Sequence, residues 1–86
     1  MPSYLVETYL SRSEFVWKAT RERRARAAVE HLTKLGVDIQ FQRTIHVPED
    51  EMCFFVFEAP SAQDAGLAAA HAGLEPLRIV EACSSQ

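Results

Sequence analysis

Apolar and polar positions along the chain fall into six periodic segments with short punctuation between them. Tyr4 to Leu10 is rich in aromatic and branched residues and is stopped by the polar Ser11-Arg12-Ser13, which predicts a strand. Ser13 then suits a helix N-cap, with Glu14 adding negative charge in the first turn. Ala25, Ala28, Val29, Leu32 and Leu35 recur at three- and four-residue spacing, which at about 100° per residue makes one apolar stripe. Gly36 stands where such a helix needs a left-handed residue to end.

Val37 to Val47 alternates, with Ile39, Phe41, Ile45 and Val47 on one side and Gln40, Gln42, Thr44 and His46 on the other. Arg43 is the exception, a charge on the apolar side. Pro48-Glu49-Asp50-Glu51 makes a turn, and Met52 to Ala59 returns as a strand too apolar to have a water-facing side. Ser61, with Asp64 three residues on, opens a second helix in the manner of a capping box, and Gly73 closes it. Its face of Ala65, Ala68, Ala69 and Ala72 consists of small side chains that permit close packing. Leu77 to Ala82 is a final strand, followed by a polar tail expected to fray from about residue 83.

Strand, helix, hairpin, helix, strand in one domain spanning 1–86 predicts an α+β, ferredoxin-like βαββαβ sandwich. Its antiparallel sheet has the order 4-1-3-2, with both helices on one face. The helix-facing side must be apolar, and Cys53, Phe55, Phe57 and Ala59 satisfy this on the third strand, with Tyr4, Val6 and Leu10 on the first. Period-two alternation then sends Leu5, Glu7 and Tyr9, Gln40, Gln42, Thr44 and His46, Met52, Phe54, Val56 and Glu58, and Ile79 and Glu81 to the open face. Its apolar members are too many to leave in water, which predicts a partner, most simply a second copy packed sheet to sheet. A chain of 86 residues buries a limited share of its surface, which also favours association.

Composition narrows the function. The hydrophobic fraction of 48% and charged fraction of 24% are those of a globular chain. A net charge of −3 weighs against general affinity for nucleic acid or anionic membranes, and no apolar run is long enough to span a bilayer. Met1-Pro2-Ser3-Tyr4 lacks the basic and apolar regions of a signal peptide, so a cytoplasmic location is expected. Cys53 and Cys83 are too few for a disulfide framework, lack the CxxC spacing for zinc, and read as separate thiols.

Arg21, Arg23, Arg24 and Arg26 scatter around the first helix rather than forming a nucleic-acid-binding face, and His31 and His71 read as surface residues. Cys53-Phe54-Phe55-Val56-Phe57 is like the aromatic strand of RNA-binding sheets but has neither its basic residue nor its glycines. The chemistry that stands out is on the open face. Glu7, Glu58 and Glu81 would be costly to cover without a cation or donor, and His46 lies just before the acidic turn of Glu49, Asp50 and Glu51. Imidazole with carboxylates suits nickel, zinc or copper, and Glu7, His46 and Glu58 are the candidate ligands.

From Thr44-Ile45-His46-Val47-Pro48-Glu49-Asp50-Glu51-Met52-Cys53-Phe54 through Phe57-Glu58-Ala59-Pro60-Ser61-Ala62, the chain resembles a little-characterised bacterial family that includes a nickel-binding protein from Streptomyces. The likeness extends to Tyr4-Leu5-Val6-Glu7, Ala72-Gly73-Leu74 and Arg78-Ile79-Val80-Glu81-Ala82. It implies a ferredoxin-like homodimer that binds nickel and has no established catalytic activity. The alternative is a dimeric α+β barrel enzyme, an oxygenase or isomerase needing no cofactor, with Tyr9, His46 and Glu7 around an enclosed substrate. A third possibility is a dimer without ligand, its open-face carboxylates paired with arginines across the interface.

Overall fold

Four strands and two helices follow in the expected order in a computed structural model that describes residues 1–14 and 16–83. They are β1 (Ser3–Tyr9), α1 (Trp17–Lys34), β2 (Gln40–Val47), β3 (Met52–Glu58), α2 (Ala62–His71) and β4 (Arg78–Ala82). All neighbouring strands are antiparallel, in the order β2-β3-β1-β4, so β1 and β3 are central. This is the ferredoxin-like α+β arrangement. The tail expected to fray lies, beyond Cys83, outside the described residues.

The core sits between the helices and one face of the sheet. Val6, Leu10, Cys53, Phe55, Phe57 and Ala59 are fully buried there, as are Ala25 of α1 and Ala65, Ala68 and Ala69 of α2. These alanines let the two helices lie against the sheet and against each other with little side-chain volume between them. Ser61 caps α2 as its sequence predicts, its hydroxyl accepting from the Asp64 N–H at 3.2 Å, and Gly73 closes the helix at φ +71°.

The start of α1 departs from expectation. Its helical hydrogen bonding begins at Trp17, after Val16, and no side chain caps it. Ser13 lies earlier, in a 3-10 turn over Arg12–Glu14, where the Ser11 hydroxyl donates to Glu14 at 2.7 Å and contacts the Ser13 hydroxyl at 3.1 Å. The local polar cluster competes with the helix for these side chains. At the other end Leu35 leaves the stripe and is 66% exposed, because its backbone (φ −87°, ψ 3°) has already left helical geometry before Gly36 turns at φ +92°.

β2 beyond Phe41, and the whole of β4, run in the opposite phase to the one alternation predicts. In β2 the pairing with β3 skips a residue, Phe41 facing Phe57 but Arg43 facing Val56, so Gln42 is an extra residue in a β-bulge. Thr44 and His46 therefore stand opposite Phe55 and Cys53 on the helix side, and Arg43, Ile45 and Val47 turn to the open face. The bulge thus accounts for Arg43, the one misfit in the sequence pattern. In β4, Ile79 stands opposite Val6 and Glu81 opposite Tyr4, which puts both on the helix side. Ile79 packs onto the core beside α2, where a Cβ on Gly66 would meet its Cδ1 at 3.4 Å.

Candidate functional site

The corrected register gives the open face as rows of cross-strand neighbours. One row runs Val80, Leu5, Val56, Arg43 across all four strands, and the next runs Arg78, Glu7, Phe54, Ile45. Tyr9, Met52 and Val47 make a third at the hairpin end, and Ala82, Ser3, Glu58 and Gln40 a fourth at the opposite end. The two middle rows form an apolar field crossed by three charged side chains.

Each open-face carboxylate of the candidate set already has a partner within the chain. Glu7 accepts from the Arg78 Nε at 2.8 Å, its own side chain 12% exposed while the arginine is 69% exposed. A buried carboxylate in a central strand is thereby matched by a cation reaching in from the edge strand, which avoids the cost of an unpaired buried charge. Glu58 accepts from the amide of Gln42, the extra residue of the bulge. Glu81 lies on the helix side at the sheet edge and is exposed.

Glu7, His46 and Glu58 are not brought together. Glu58 stands opposite Ser3, four residues from Glu7 along β1, a separation of about 13 Å at strand rise. His46 is on the other face, and opposite Cys53 it lies about 17 Å along β3 from Glu58. As a set they do not fit one ion within a chain. Among the described residues no three His, Cys, Asp or Glu side chains converge on a common point.

On the helix side, Thr8, Cys53 and His46 make a row. The Thr8 hydroxyl donates to the Cys53 carbonyl at 2.7 Å, while His46 Nε2 and Thr44 Oγ1 are buried without a hydrogen-bond partner among the described residues. Burial pushes the Cys53 thiol above its usual pKa, with Arg21 and Lys18 offsetting part of the effect. A raised pKa keeps the thiol protonated and unreactive. Treatment of native protein with iodoacetamide is expected to modify the exposed Cys83 and spare Cys53, with both modified after denaturation. Mass spectrometry of the peptides checks this; equal modification of Cys53 in the native state contradicts it.

The residues considered for an enclosed enzyme site are also dispersed. A cleft of about 520 Å³ between α1 and the segment after α2 is lined by Tyr9, Arg21, Arg24, Glu75 and Leu77, with neither Glu7 nor His46 in its wall. Tyr9 donates to Glu51 at 3.1 Å, and this hydrogen bond and the charge on Glu51 hold its phenol above the usual pKa, the wrong direction for a base.

Arg21, Arg23 and Arg26 of α1 are engaged locally. Arg21 donates to the Tyr9 carbonyl at 3.0 Å, and Arg26 pairs with Glu22 at 3.3 Å and stacks over Phe41 at 4.9 Å. Of the third-strand aromatics only Phe54 faces outward, since Phe55 and Phe57 are fully buried.

One pair was not legible in the sequence. His31 of α1 and His71 of α2 lie with ring centres 5.2 Å apart, beside a groove that Arg24, Ala28 and Ala72 also line. Forty residues separate them, and each alone reads as a polar side chain on an outer helix face. Only the close packing of the alanine-rich helix faces brings the two rings together.

No helix among the described residues is long and apolar enough to cross a membrane. No family model, curated protein or solved structure matches the chain.

Proposed function

We propose that the protein works as a non-catalytic homodimer joined through the open face of its sheet, and that the dimer binds a divalent transition metal, nickel being the ion its sequence resemblance implies. The observation that carries the dimer is the apolar field of Leu5, Phe54, Ile45 and Val80, around the already buried Val56, on the face opposite the helices. A side chain such as Ile45, 41% exposed on this face, is withdrawn from water when a second sheet covers it. The charges on the face are compatible with cover. Glu7 has Arg78 and Glu58 has Gln42, and Arg43 has no carboxylate at ion-pair distance among the described residues, so it is free to meet one from the second copy.

The metal half of the proposal is supported by the resemblance. Because Glu7 and Glu58 are satisfied within the chain and His46 faces the helices, the ligands are side chains other than these three. Titration calorimetry with nickel on tag-free protein tests this. Nickel is expected to bind wild type, Glu7→Gln, His46→Ala and Glu58→Gln with equal affinity. Absence of binding to wild type contradicts the metal reading, and loss of binding in any of the three variants contradicts the ligand assignment.

A further inference from the structure

We infer that His31 and His71 form a two-histidine site for a divalent metal ion of tetrahedral preference, zinc foremost, on the helix side of the molecule. The inference shares the metal-binding reading above but none of its candidate ligands. It begins from the ring separation. A metal about 2.1 Å from an imidazole nitrogen lies about 3.2 Å from the ring centre. Two rings on one ion at the tetrahedral angle then have centres about 5.2 Å apart, and at a right angle about 4.5 Å. The observed separation is 5.2 Å, with the ring planes inclined at 45°. With a nitrogen of each ring turned to a common point, this is the separation a shared tetrahedral ion requires, and the rings are tilted rather than stacked.

The surroundings agree with a cation. Both histidines lie in the last turns of their helices, where the partial negative charge of the helix C-terminus favours positive charge. The groove beside them is open to solvent, and Ala28 and Ala72 in its wall leave room for an ion and the waters completing its coordination. Arg24, which also lines the groove, is seven residues from His31, or about 10 Å along the helix. That spacing is between backbones; the guanidinium reaches toward Gly73, two residues beyond His71, so its positive charge opposes the ion and the two imidazoles must bind against it. The ligands come from two helices, so a bound ion would clamp α1 to α2 and stabilise the fold in proportion to the logarithm of its concentration over its dissociation constant.

Neither histidine is buried, so replacing either leaves the core intact. Calorimetric titration with zinc, and separately with nickel, on wild type, His31→Ala, His71→Ala and His46→Ala tests the site. The expected result is zinc binding in wild type and His46→Ala, weakened more than about tenfold in His31→Ala and in His71→Ala. Cobalt is expected to give a tetrahedral visible spectrum with wild type that both variants lose. Zinc affinity unchanged in either variant, or no zinc binding by wild type, overturns the site. If nickel still binds wild type in those cases, the reading of the protein as a metal binder survives the loss of this site. If neither metal binds, both fall.

Discussion

Leu5→Lys is expected to convert the protein into a folded monomer. Leu5 stands between Val80 and Val56 in the middle of the open face and is half-buried within one chain, so a lysine there can reach water in the monomer. In a sheet-to-sheet dimer the same ammonium would be covered without a partner, and the favourable burial of the leucine would be forfeited as well. We expect the dimer to weaken by about a hundredfold or more, equivalent to roughly 3 kcal/mol. Sedimentation velocity reads the association state and circular dichroism reads the fold. A variant that stays dimeric at the wild-type concentration range places the interface elsewhere.

The second large effect is in the core. Phe57 is fully buried, stands opposite Tyr4 on β1 and Phe41 on β2, and meets the Phe41 ring edge-on at 5.4 Å between centres. Phe57→Ala removes that volume between the sheet and helices whose facing side chains are largely alanine, so the cavity is poorly filled by rearrangement of its neighbours. Such truncations cost about 3–5 kcal/mol, and a domain of this size has a total of only about 4–13 kcal/mol. Urea unfolding is expected to show a lower midpoint at an unchanged slope, equivalent to that loss. A loss below about 1 kcal/mol would mean the core is not packed as described.

The two mutations probe opposite faces of the same sheet, and how well each face could be read from the sequence differs. The helix side of the central strands was plain, because Cys53, Phe55 and Phe57 are uniformly apolar while the alternate set ends in Glu58. The edge strands were not. A bulge inserts one residue and inverts everything beyond it, and nothing in Gln40-Phe41-Gln42-Arg43-Thr44 announces where the extra residue goes except Arg43 on the wrong side. In β4 adjacent Ile79 and Val80 are equally apolar, so alternation alone could not choose between phases, and the choice is made by α2 closing over Ile79 at Gly66.

That inversion changes the chemistry. With Thr44 and His46 on the open face, Glu7, Glu58 and His46 would share one surface and invite a metal. With the bulge in place the histidine leaves, and the face becomes an apolar surface with internally matched carboxylates. Arg78 was visible in the sequence, but its pairing with Glu7 depends on the β1–β4 register. The His31 and His71 pair depends on helix packing alone. Register and packing are both tertiary quantities, which is why the fold was readable from local periodicity and the site was not.

Dimerisation through the open face is the central claim, and the mass of tag-free protein in solution tests it most directly. Sedimentation equilibrium across a range of concentrations is expected to return twice the 9.7 kDa chain mass for wild type, and the single-chain mass for Leu5→Lys. A wild-type mass of 9.7 kDa at every concentration would contradict the account, because the apolar field of Leu5, Phe54 and Ile45 would then be stable when exposed to water.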